Sequence, residues 1–143
     1  MKKLLHINPV LRTSTSTGRI IQEIGTVAMA AGWDNYIAYS KGRDGIKPSQ
    51  SKLIPVGSKL SVAWHGVLTR FFDMHGLGSR KATRRFVREI KKISPDVIHI
   101  HNIHGYFLNY KILFEYLSKK DIPVVWTVHD CWLYTGHCYH YAS

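Results

Sequence analysis

Residues 94–139 read SPDVIHIHNIHGYFLNYKILFEYLSKKDIPVVWTVHDCWLYTGHCY, and this stretch decides the fold. Residues 96–101 are a short apolar run after the Ser94-Pro95 breaker, which predicts a buried strand. Across residues 106–117, Phe107, Leu108, Ile112, Leu113, Tyr116 and Leu117 recur at helical spacing. Residues 122–128 are a second run of β-branched and aromatic side chains. Two such strands around one helix make a βαβ unit, and its parallel strands need cover on both faces. Both strands stop at histidine-rich loops, His101-Asn102-Ile103-His104-Gly105 and His129-Asp130-Cys131-Trp132. Ligands of open α/β sheets sit outside the carboxyl ends of the strands, so the two loops outline a binding site.

The rest of the chain continues the same alternation. Residues 3–8 predict a first strand, residues 9–18 a loop rich in Ser and Thr, and residues 18–31 a helix. Ile20, Ile21, Ile24, Val27, Ala28 and Ala31 make the apolar face of that helix, and Gly32 ends it. Strands follow at 35–40 and 52–56, separated by a polar loop (41–51) that contains Pro48. Residues 59–74 are apolar at helical spacing and dense in aromatics: Leu60, Trp64, Val67, Leu68, Phe71 and Phe72. Such density calls for a second buried face, or for a surface that something outside this chain covers. Gly76-Leu77-Gly78 breaks the pattern, and Ser79 is placed to cap the next helix, Arg80–Ile93. The predicted class is α/β: an open parallel Rossmann-like sheet with helices on both faces. At 143 residues the chain is one domain that buries roughly two-thirds of its unfolded surface.

The segment PDVIHIHNIHG, followed by IPVVWTVHDCW and TGHC, is similar to the amino-terminal half of bacterial family 4 glycosyltransferases of the surface-polysaccharide type. The likeness runs from about residue 79 to 138 and extends, more loosely, over residues 4–31. It implies the GT-B architecture, two Rossmann-like domains facing across a cleft, of which residues 1–143 supply the first. On that reading the chain is truncated, the nucleotide-sugar-binding domain is absent, and the fragment alone is inactive. The full enzyme would be a retaining glycosyltransferase that moves a sugar from a nucleotide-sugar to a saccharide or lipid-linked acceptor.

The resemblance also gives the loop residues their roles. It places His129 on the donor-sugar side of the cleft, as the catalytic residue; Asp130 would bind substrate beside it, or instead orient His129 or cap the next segment. Asn102, His104, Tyr106 and Trp132 would bind substrate, with imidazole and amide groups on sugar hydroxyls and an aromatic ring on a sugar face. Asn102 serves equally well as the cap of the following helix. His99 alternates with Ile98 and Ile100 and reads as a buried structural histidine. Thr17, Gly18 and Arg19 stand at a helix N-terminus, where free amides and the helix dipole suit a phosphate. Family members often carry a Gly-Gly pair here and this chain has only Gly18, so an ordinary turn and cap is the alternative. There is no dinucleotide or P-loop glycine pattern.

The formal net charge is +11 with a pI near 9.8, which favours anionic partners. Much of it lies on RKATRRFVREIKKI, where Arg80, Lys81, Arg84, Arg85, Arg88, Lys91 and Lys92 surround a stripe of Ala82, Phe86, Ile90 and Ile93. That face is either a solvated outer surface or a dock for anionic lipid, peripheral on the inner face of the membrane. No nucleic-acid-binding motif is present, and no nucleic-acid partner is expected. A non-catalytic module that docks anionic lipid or nucleic acid is the competing class. The amino terminus lacks the apolar run of a signal peptide, and no window suits a membrane span, so the sequence reads as a cytoplasmic domain. Cys131 and Cys138 lie near His129, His137 and His140, but without the paired spacing of a zinc site. The expectation is no metal, no cofactor and free thiols.

Overall fold

The computed structural model describes residues 1–41 and 49–135. Five parallel strands, β1 (Lys3–Ile7), β2 (Asp34–Ser40), β3 (Lys52–Val56), β4 (Val97–Ile100) and β5 (Val124–Trp126), form one sheet in the order β3-β2-β1-β4-β5. The chain winds outward from β1 to β3, then crosses back to lay β4 against the other side of β1. The switch point therefore lies between β1 and β4, where Leu5 faces Ile98 and His6 faces His99. This is the Rossmann-like α/β sheet expected from the alternation of apolar runs.

Alternation along the strands assigns the two faces. Leu5, Ile7, Ile98 and Ile100 point to one side, against Phe86 and Ile90 of α3 (Arg80–Ile93) and Leu113 and Leu117 of α4 (Tyr110–Leu117). On the other side Ile37 and Tyr39 of β2 pack with Leu11 and with Ile21 of α1 (Ser16–Ala30). His6, His99 and His101 share the α1 side of the sheet by the same alternation. α2 (Lys59–Phe72) lies outside this two-layer core, and its one fully buried residue is His65.

Several boundaries differ from the sequence reading. α1 starts at Ser16 because Thr15 caps it, its Oγ1 accepting from the Gly18 amide at 3.2 Å. Gly32 does follow the helix in the left-handed region, φ 81°. The helix expected from residue 106 starts only at Tyr110. Its cap is Asn109, whose Oδ1 accepts from the Ile112 amide at 3.0 Å, and not Asn102. Phe107 and Leu108 are buried all the same, because the loop itself folds them inward. Ser79 occupies the N-cap position of α3 but has φ 51° and makes no cap bond. Its hydroxyl instead donates to the Tyr106 carbonyl at 3.1 Å and accepts from His65. The β5 strand is shorter than the apolar run that predicted it. Pro48, with most of its loop, and Cys138, His137 and His140 lie outside the described residues.

Candidate functional site

At the carboxyl edge of β1, β4 and β5 the polar side chains are joined to one another. His101, immediately after β4, is 1% exposed and sits between two other rings. Its Nε2 is 3.1 Å from His6 Nδ1, and its Nδ1 is 3.0 Å from His129 Nε2. His99 stacks beside His101 at 4.0 Å between ring centroids and shares a 2.8 Å hydrogen bond with Thr127 Oγ1. A second link closes the loops nearby: His104 Nε2 meets Asp130 Oδ2 at 2.8 Å. The other oxygen of Asp130 accepts from the Trp132 amide at 3.0 Å, which starts the short helix α5 (Trp132–Thr135). The two loops that the sequence singled out therefore lie on one edge and are bonded across it. Asp130 orients His104 and Trp132, whereas the ring that holds His129 is His101.

Burial controls the protonation of this cluster. Desolvation, helped by the neighbouring His99, pushes His6 down to about 3, with the Asn35 side chain opposing the shift. Desolvation and the proximity of His99, His6 and His129 push His101 down to about 2. His99 is lowered too, by burial and then by His129. Neutral imidazoles are what such a site requires, because adjacent buried cations would repel and lose their hydration.

His6, His99 and His101 each offer a ring nitrogen, all within 4.8 Å of one another, so the cluster also has the donor atoms of a metal site. The cysteine-centred cluster weighed from sequence is different, and of it the structure describes His129 and Cys131, the latter a half-buried free thiol.

The remaining candidates divide. Trp132 is buried and its Nε1 donates to His75 Nδ1 at 3.3 Å. Beside it opens a hollow of about 420 Å³ lined by Asp73, His75, Tyr110, Trp126 and Trp132. Between the loops themselves the space is only about 10 Å³, with Asn102, His104 and His129 at its wall. Tyr106 does not join this group. It follows Gly105 (φ 97°) with φ 65°, and its ring turns to His65 and His75, at 5.5 and 5.7 Å. Thr17, Gly18 and Arg19 begin α1 at the same sheet edge. Gly18 is needed for close approach: a Cβ there would lie 2.0 Å from the Arg12 carbonyl oxygen. Its amide is already taken by Thr15, and Arg19 is exposed and paired with Glu23 at 3.9 Å. The basic residues of α3 are all exposed and its predicted stripe is turned inward, with Phe86 and Ile90 buried.

Sequence reasoning missed His6, His65 and Asn35. Only strand register brings His6 opposite His99, and no local pattern marks it. The alternation His99-Ile100-His101 was a usable signal, since it puts two imidazoles on one face of a strand.

Comparison with known proteins agrees with this geometry. Residues 17–143 match the model of Glycosyltransferase Family 4. The chain belongs to that family, and its sheet is the amino-terminal Rossmann-like domain of the GT-B architecture. It is 28% identical over 121 residues to WcaC of Escherichia coli strain K12, a glycosyl transferase assigned to colanic acid biosynthesis. That match covers 78% of this chain and 29% of WcaC, so the chain spans less than a third of that relative. Among solved structures, sucrose-phosphate synthase from Thermosynechococcus elongatus superposes with a TM-score of 0.60 at 12% identity. The superposition covers 96% of this chain and 35% of that one, and it speaks to the fold.

Proposed function

We propose that this domain forms the amino-terminal wall of the cleft of a retaining glycosyltransferase that uses a nucleotide-sugar donor and a saccharide or lipid-linked acceptor. In that reaction the bond from the anomeric carbon to the diphosphate breaks. The acceptor oxygen bonds to the same face of that carbon, and the proton of the acceptor hydroxyl passes to the departing diphosphate. The observation that carries the reading is the pair of bonded loops beside the β1/β4 switch point, with His129 held by His101 and His104 held by Asp130. His129 would contact the donor sugar. Asn102, His104 and Trp132 would line the acceptor side, where the aromatic hollow suits the apolar face of a sugar ring. Thr17 would add a polar group from the α1 terminus, while Gly18 serves packing. The diphosphate would be held mainly by the nucleotide-binding domain of the complete enzyme.

The test is turnover of a polypeptide that joins this domain to its nucleotide-sugar-binding partner. His129→Ala should lower kcat by about 10²-fold, the scale of a lost positioned proton-transfer or hydrogen-bonding group. Unchanged turnover would remove His129 from the site.

We also propose an anionic lipid surface as the partner of α2 and α3. Leu60, Trp64, Phe71 and Phe72 of α2 are exposed, Leu60 by 83% and Phe71 by 72%. α2 carries no acidic residue, and Trp64 shares a hollow of about 490 Å³ with Arg80 and Lys81 of α3. Apolar side chains rimmed by cations are the pattern of an interfacial helix. Among the described residues no helix is long and apolar enough to cross a membrane, so contact would be peripheral.

A further inference from the structure

The three rings at the switch point form a row with a direction. A neutral imidazole has one N–H and one lone pair, so each ring-to-ring contact takes one proton, and fixing one end fixes all. The inner end is His6 Nε2, a fully buried atom that no conventional partner satisfies. Its neighbour is Asn35, whose Oδ1 is likewise buried and unsatisfied, and the side chains are close enough for Asn35 to act on the His6 ring. Asn35 Nδ2 is committed to Ser51 Oγ at 2.8 Å, which turns Oδ1 away from that serine. A carbonyl oxygen only accepts. A proton on His6 Nε2 gives that oxygen a donor, whereas a lone pair there would set two acceptors against each other.

The rest follows by proton counting. His6 Nδ1 is then a lone pair, so His101 Nε2 donates to it across 3.1 Å. His101 Nδ1 becomes a lone pair, and His129 Nε2 donates to it across 3.0 Å. His129 Nδ1 is left as a lone pair. We propose that His6 and His101 are positioning residues which, anchored on Asn35 Oδ1, hold His129 as its Nε2–H tautomer, so that the Nδ1 of His129 accepts a hydrogen bond from a ligand hydroxyl. The inference deepens the reading of His129 as a donor-side residue and narrows its ligand chemistry. A lone pair receives the O–H of a sugar and repels a phosphate oxygen, so His129 selects for the sugar and not for the diphosphate. Burial keeps His6 and His101 neutral through the physiological range, as the row requires.

A metal ion held by His6, His99 and His101 is the competing use of the same atoms. It would need His6, His99 and His101 each to turn a lone pair to one ion, in competition with the ring-to-ring hydrogen bonds of the row. The test is long-range nitrogen–proton correlation on the nitrogen-15-labelled chain at neutral pH, which reports the tautomer of each ring without any substrate. His6, His101 and His129 should all appear as Nε2–H tautomers. Asn35→Leu, which removes the anchoring oxygen, should cost His129 its single tautomer, and Asn35→Asp, which keeps an acceptor, should restore it. An Nδ1–H tautomer at His101 would reverse the row and overturn the proposal. So would uptake of one zinc per chain with loss of the His6 and His101 N–H signals. A nucleotide-sugar that fails to perturb His129 would count against the glycosyltransferase site and leave the tautomer result standing, so the two failures are distinguishable.

Discussion

The loop edge of β4 and β5 and the outer face of α2 invert the usual distribution of side chains in opposite ways. At the loop edge polar groups are inside: His6 and His101 are at most 1% exposed. On α2 apolar groups are outside, with Trp64 63% and Phe72 68% exposed. Scattered apolar exposure is ordinary, but a contiguous apolar face is not, and buried polar groups survive only when bonded. The loop edge meets that condition largely within the chain, ring to ring and ring to carboxylate, with His6 Nε2 and Asn35 Oδ1 left over. Among the described residues, the exposed apolar side chains of α2 join neither core cluster. One region is an interior whose polar side chains fix one another; the other is an apolar face left exposed among the described residues.

Acid should break the polar interior first, and this is the largest effect expected. Unfolded histidines titrate near 6.5, whereas folded His6, His65 and His101 fall to about 3, about 4 and about 2. Between those limits the unfolded chain binds more protons, so stability falls as pH drops below about 6.5. Each histidine then removes up to about 1.4 kcal/mol per pH unit. From about pH 6.5 to about 4 the three together remove up to about 10 kcal/mol, so circular dichroism should show unfolding by roughly pH 4 for a domain in the lower half of the usual range of about 5–15 kcal/mol. A urea-unfolding stability that does not change between about pH 6.5 and about pH 4 would mean that these rings are not buried as neutral groups.

Next in size, His101→Ala should destabilise the domain by about 2–4 kcal/mol in urea, because it opens space and strands two ring nitrogens. A loss below about 0.5 kcal/mol would put the loop edge in the same class as an ordinary surface. Reversal of Arg84, Arg85 and Arg88 to Glu should weaken binding to anionic vesicles by about 1 kcal/mol per residue. Co-sedimentation should show the loss strongest at low salt, since charges beyond about 8 Å are screened at physiological ionic strength. Unchanged sedimentation would make the basic face merely solvated. Smallest of all, Trp64→Ser with Phe71→Ser should shift stability by no more than about 0.5 kcal/mol. A larger loss would mean that the α2 face is packed after all.

Much of this was legible in the sequence, and the misses have physical causes. The β-branched runs and amphipathic stripes marked all five strands and α1 to α4, because period and composition report burial directly. Helix α4 was over-extended because Phe107 and Leu108 fit its spacing. Asn109 bonding to the Ile112 amide, with Tyr106 at positive φ, ends the helix there instead. Ser79 looked like a cap by type and position, yet His65 and the Tyr106 carbonyl compete for its hydroxyl and win. The two histidine loops were visible as polar strand ends on one edge of the sheet, where the structure bonds them together. The partner that holds His129 was not, because His6 and His101 meet only through the β1/β4 register, a long-range fact that no local pattern carries.

The central claim is that sugar chemistry belongs to the loop edge and lipid contact to α2 and α3. Titration of the isotope-labelled chain with a nucleotide-sugar at millimolar concentration tests it most directly, by mapping shifts in the backbone and imidazole resonances. The account predicts changes at Asn102, His104, His129 and Asp130, with α2 and the basic residues of α3 silent. Changes confined to Arg80–Ile93, growing as salt is lowered, would contradict it and leave a charge-driven docking module in its place.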